Sequence, residues 1–186
     1  MKRTFDQFDQ IAKRCRAVFE AKLKDYGTSW RILRPSSLTD QLFIKARRIR
    51  SIEEKGVQLV ADGIEGEFAG LFNYGIIALI QLGLADDAPL ELPQAQALDL
   101  YDRQVALTRD LLGQKNHDYG EAWRDMRVSS MTDLILAKIY RIKQIEDNQG
   151  KTEISEGADA NYRDIINYAA FSLIKIMETA KNESQS

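Results

Sequence analysis

The sequence predicts an all-α protein: two tandem three-helix repeats packed as a pseudo-twofold helical bundle. Three observations predict it. Apolar residues recur at spacings of three and four along most of the chain, the period of a helix with one buried face. Residues 25–54 repeat without a gap as residues 118–147, with fifteen identities in thirty positions. No segment shows the alternation of a half-buried strand. Two copies are too few for a solenoid, which needs three or more units to bury a continuous core. They suit two halves facing each other, as a single domain over 1–186 with repeats at 5–83 and 97–181.

The first helix follows from the stripe Phe5, Phe8, Ala12, Cys15 and Phe19. Thr4 and Gln7 have the form of a capping box at its start. Asp25-Tyr26-Gly27 lies just past the stripe, where glycine suits a left-handed helix stop. The second helix is expected from Ser37-Leu38-Thr39-Asp40, a Ser-x-x-Asp cap, to about Lys55, and the third near 64–83. Residues 84–96 hold two of the three prolines and read as the linker. The second copy repeats the order: Leu98, Tyr101, Val105, Thr108 and Leu112, then Asp118-Tyr119-Gly120. A helix from Ser130 to about Asn148 and another near 159–181 complete it. In the third helices a one-residue shift aligns Asn73-Tyr74 with Asn167-Tyr168.

Composition narrows the function classes. Of 186 residues, 26 are basic and 28 acidic, a formal charge of -2 that does not indicate a nucleic-acid-coating protein, although nucleic acid stays possible. The apolar run Ile76–Leu82 is too short to span a bilayer. No signal peptide is visible after the opening MKRTFDQFDQ, so the expectation is a cytoplasmic protein without a membrane partner. One cysteine and one histidine exclude an intramolecular disulfide and a multi-histidine metal centre. Any chemistry must run on carboxylates, Lys, Arg and amides.

Lysines interrupt the apolar stripes of both second helices. Lys45 stands among Leu38, Leu42, Ile49 and Ile52, and Lys138 among Met131, Ile135, Ile142 and Ile145; Arg48 and Arg141 follow three residues later. A buried ammonium needs a partner. A carboxylate of a neighbouring helix would serve, as would a bound phosphate, and a snorkelling stem is a third solution. Asp-Tyr-Gly-x-x-Trp allows two readings. It is a helix stop with Trp30 or Trp123 beneath the turn, or a pocket wall in which Tyr119 and Trp123 stack a base while Arg31, Arg34, Arg124 and Arg127 meet phosphates. The third helices diverge. Asn161, Asp164 and Tyr168 share one face; Asp164 aligns with Gly70 and Asn161 with Glu67, so each copy has an acid where the other has none. Glu153, Glu156 and Asp159 precede that face, and Glu53-Glu54 and Glu146-Asp147 end the second helices.

Together the duplicated D-Y-G-x-x-W, S-S-x-T-D, K-x-x-R and N-Y motifs resemble the nucleotide modification associated domain 1 family, over roughly residues 5–180. That family is regarded as similar to the MazG-type all-α nucleoside triphosphate pyrophosphohydrolases, which use Mg²⁺. The resemblance implies a nucleotide or other phosphate-bearing small molecule as partner, and a Mg²⁺ cofactor on oxygen ligands. The chain lacks the E-E-x-x-E of that larger group; Asn161-x-x-Asp164 and Glu67-x-x-Gly70 each keep half of its E-x-x-D. On this reading Asp164, Glu146 and Glu67 are the metal candidates and Asp164 and Glu156 the catalytic ones. Lys45, Arg48, Lys138, Arg141, Arg31, Arg124, Tyr119, Trp123 and Asn167 would bind substrate or phosphate. The expected activity is pyrophosphohydrolysis; a non-catalytic nucleotide-binding module is the alternative. Lys138, Asp164, Arg141 and Asn167 are expected to face one cavity, with Lys138→Met harmless to the fold. The expected assembly is a monomer acting as an internal pseudo-dimer, or a homodimer.

Overall fold

A computed structural model describes residues 2–56, 63–85, 87–152 and 156–184, without the side chains of 115–119. Among the described residues there are six α-helices and no strand: α1 (Lys2–Tyr26), α2 (Pro35–Lys55), α3 (Ile64–Gly83), α4 (Gln94–Tyr119), α5 (Val128–Asp147) and α6 (Ala158–Glu183). Short 3₁₀ turns, Ser29–Ile32 and Ala122–Asp125, follow α1 and α4 at matched positions. No helix of the described residues is long and apolar enough to cross a membrane.

The helix spans agree with the periodicity, but the starts do not agree with the expected caps. Thr4 lies inside α1, and its buried hydroxyl donates to Glu121 rather than capping. Helix α2 begins at Pro35, two residues before Ser37, and α5 begins at Val128; neither has a side-chain cap. Proline's fixed φ and missing N–H favour the first helical position, so Pro35 sets the start of α2. Both expected stop glycines have positive φ, Gly27 at 58° and Gly120 at 62°, but Gly120 has ψ -150° and so is not a left-handed helical cap. A Cβ at Gly27 would also come 2.3 Å from Glu91 Oε1 and displace that flexible carboxylate.

Each helix packs against its own repeat-mate: α3 on α6, α2 on α5, α1 on α4. The bonds across these contacts are reciprocal, the signature of a twofold. Between α2 and α5, Thr39 donates to Glu146 at 2.7 Å and Thr132 to Glu53 at 3.0 Å. On the same contact Lys143 pairs with Asp40 at 2.6 Å and Arg50 with Asp133 at 3.5 Å. Between α1 and α4, Arg16 pairs with Asp102 at 2.7 Å and Arg109 with Asp9 at 2.6 Å. These pairs are exposed and contribute register more than stability. Cohesion comes from one buried apolar cluster running through both halves, from Phe8 and Leu42 to Met131 and Ile166. At its centre Gly75 lets α6 approach, since a Cβ there would meet Ile166 at 2.6 Å.

Candidate functional site

A cleft of about 540 Å³ lies in the first half and gathers several of the residues that the repeat keeps. The end of α1 contributes Val18, Lys22 and Tyr26, the following turn Gly27, Trp30 and Ile32, α2 Lys45, and α3 Gly66, Gly70, Asn73 and Tyr74. The helix stop at Gly27 turns the chain so that Trp30 tucks under it, 8% exposed, while Tyr26 stays 52% exposed at the mouth. Burial, with Tyr74 and Asp25 close by, pushes the Tyr26 phenol up, so it is a neutral donor at physiological pH. Asn73 is spent on the fold: its amide donates to the Cys15 carbonyl at 3.1 Å and accepts from Tyr101 at 2.7 Å.

Lys45 is one of two lysines that line this cleft. Its Nζ lies 3.2 Å from Glu67 Oε2 and 5.7 Å from the centre of the Tyr74 ring. Arg48 holds the other oxygen of Glu67. The lysine stem lies against Gly70 on its way to that acid; a Cβ there would come 2.9 Å from its Cδ and Cε, so the flexible stem would have to shift. In the second half the partner changes place. Lys138 Nζ meets Asp164 Oδ2 at 2.6 Å, with Asp164 where the first copy has Gly70. Of the partners open to a stripe lysine, both copies therefore show a carboxylate of the neighbouring helix.

The remaining predicted residues are dispersed. Arg141 is exposed, and Asn167 is buried with no partner for its Oδ1 among the described residues. The equivalent oxygen of Asn73 is satisfied by Tyr101, whose counterpart in the repeat is Phe8, a side chain without a hydroxyl. Arg31 donates to the carbonyls of Ala88 and Pro89 and to Gln81, tying the linker to α3. Arg124 donates to Glu121, Gln7 and Thr4 and covers Trp123 at 4.3 Å. Its bond, with that of Thr4, holds the Glu121 carboxyl down at about 2. Trp123 is buried and stacked on Phe171, centroids 4.3 Å apart. The side chains of Asp118 and Tyr119, and all of Glu153, lie outside the described residues, and Glu156 is exposed ahead of α6.

The three metal candidates have separate partners. Glu67 is held by Lys45 and Arg48, Asp164 by Lys138, and Glu146 accepts from Thr39 and Tyr162. Among the described residues no group of three or more His, Cys, Asp or Glu is placed to hold a metal ion. The donor set of an all-carboxylate Mg²⁺ site is thus not assembled.

Periodicity gave no hint of Lys22, Ile32 and the small residues of α3, but comparing the copies could have found them. At the positions of Gly66, Ala69, Gly70 and Ile77 the second copy has Ala160, Arg163, Asp164 and Phe171. Phe171 covers Trp123 where the first copy has the smaller Ile77 beside Trp30, whereas Arg163 reaches Thr108 and Gln104, the counterparts of Cys15 and Ile11 outside the cleft.

Fold and cleft together define a class: a duplicated helical protein whose aromatic, lysine-bearing cleft has the dimensions of a small-molecule site. The chain belongs to the nucleotide modification associated domain 1 family, which matches residues 22–82 and 115–176, once on each repeat. The family's description gives it a nucleotide-related role. Comparison with curated proteins and with solved structures gives no match.

Proposed function

We propose that the protein is a nucleotide-binding module whose ligand occupies the first-half cleft. The observation that carries this reading is the convergence of Tyr26, Trp30, Lys45, Asn73 and Tyr74 on one cavity of about 540 Å³. Each of these residues is kept in both copies. A nucleobase is a flat, polarisable group that gains from aromatic walls, and Tyr26 and Tyr74 offer them at the mouth. Lys22 and Lys45 supply the positive charge that a phosphate requires.

Hydrolysis of a nucleoside triphosphate, the activity implied by the MazG resemblance, asks for clustered carboxylates that bind Mg²⁺ and orient water. Here Glu67 and Asp164 are already paired with lysine and arginine, and Glu146 accepts a hydrogen bond from Thr39. Binding is therefore better supported than turnover. Thermal melting with a panel of nucleosides and nucleotides, with and without Mg²⁺, tests the reading, alongside an assay for released phosphate or pyrophosphate. A ligand at 100 times its Kd should stabilise the protein by about 2.7 kcal/mol without product appearing. No shift with any compound would contradict binding; monophosphate and pyrophosphate released from a triphosphate would establish turnover instead.

A further inference from the structure

We infer that one phosphate group of the ligand binds Lys45 above Gly70, in the place where the second half keeps the Asp164 carboxylate. The cleft then takes a nucleoside monophosphate, one per chain. The place assigned to the phosphate rests on the nucleotide reading of the cleft and adds to it an anion position, a charge class and a stoichiometry.

The two copies are each other's comparison structure. Lys45 aligns with Lys138 and Gly70 with Asp164. In the second half the anion that faces the lysine is built into the chain, at 2.6 Å. In the first half that position has no side chain, and the lysine stem lies across it, with Nζ 3.1 Å from where a Cβ would stand. Gly70 and Lys45 both line the cleft, so an anion entering it meets the ammonium where the missing carboxylate would be. Lys45 can turn to such an anion without stranding a buried charge, because Arg48 stays on Glu67. Lys45 and Arg48 thus share Glu67 in the first half, whereas Lys138 has Asp164 built in for it in the second.

Charge sets the ligand class. Among the described residues Lys22 and Lys45 are the cations that line the cleft, and no Asp or Glu lines it. A single phosphate, carrying about −1.5 to −2 at neutral pH, matches two ammonium groups. A triphosphate would leave charge unanswered beside Glu67. The stoichiometry follows from Asp164 and Phe171, which in the second half stand where Gly70 and Ile77 leave space in the first.

Calorimetric titration of the full chain with deoxynucleosides and their mono- and triphosphates tests this. Monophosphates should bind one per chain, about tenfold or more tighter than either the nucleosides or the triphosphates. Gly70→Asp reproduces the second half's arrangement and should remove that advantage by pairing Lys45 internally. Gly70→Ala adds the Cβ without the charge and should keep most of it. If Gly70→Asp fails to fold, Glu67→Asn/Gly70→Asp, which copies both positions of the second half, is titrated in its place, and Lys45→Met should show the same loss. Tighter triphosphate binding, two ligands per chain, or an undiminished preference in Gly70→Asp or its substitute overturns the phosphate position while leaving the cleft reading intact. Binding by none of the compounds removes the cleft reading itself.

Discussion

Lys138 and Asp164 show how far a single residue's role depends on its partner. Side-chain exposures of 19% and 9% make this an ion pair largely out of water. Removing the lysine leaves a buried carboxylate, and breaking such a pair by deleting one partner costs about 3–5 kcal/mol. Lys138→Met is thus expected to lower stability in urea by that order, contrary to what the apolar stripe alone suggested. Lys138→Met/Asp164→Leu removes both charges and should recover most of the loss. If the single and double variants were equally destabilised, the pair would not be what holds the two helices together there. The stripe showed that a lysine was buried; it could not show which of two helix positions, one turn apart, carried the acid.

Between α2 and α5, the mirrored acids Glu53 and Glu146 are half-buried, and burial pushes both carboxyls up despite their threonine donors. A carboxyl raised in the folded state binds protons more readily there than in the unfolded chain. Its effect on stability therefore becomes unfavourable as pH rises through the window above its ordinary value. Glu146→Gln keeps an acceptor for Thr39 and should stabilise the protein at pH 7, with a smaller gain near pH 5. Equal effects of the substitution at both pH values would contradict the burial account. Glu121 has the opposite sign: held down at about 2 by Arg124 and Thr4, it adds stability above its ordinary range. That contribution is lost as pH falls toward 2, so Glu121→Gln should cost stability at pH 7 and progressively less in acid.

Helix existence, approximate extent and the twofold relation of the halves were legible because periodicity and duplication both act over many residues. The starts were not, since Pro35 begins α2 by fixing its own φ, whatever capping pattern follows. The 3₁₀ turns went unread for a similar reason: four residues are too few for a period.

For the molecule as a whole, the continuous core implies that neither half holds its structure without the other. Trp30 and Trp123 sit at equivalent places in the two halves and report on them separately. Urea unfolding followed through Trp123→Phe and Trp30→Phe should each give one transition coincident with the loss of helical signal. Two separated transitions would mean halves that fold independently. At this level charged residues are a poor guide to openness. Asp164 is marked by its charge, whereas the first-half cleft is made by what α3 lacks, at Gly66, Ala69 and Gly70. Small residues carry no chemical signature of their own, and only their larger counterparts in the other copy reveal them.

The same two single-tryptophan proteins also test most directly whether the first half alone receives the nucleotide. Trp30 lines the cleft, and Trp123 is stacked on Phe171 in the other half. Titrating each with deoxynucleoside monophosphates should change the emission of Trp30 in Trp123→Phe, saturably, and leave that of Trp123 in Trp30→Phe unchanged. A saturable response from Trp123, with Trp30 silent, would place the ligand in the second half and contradict the account.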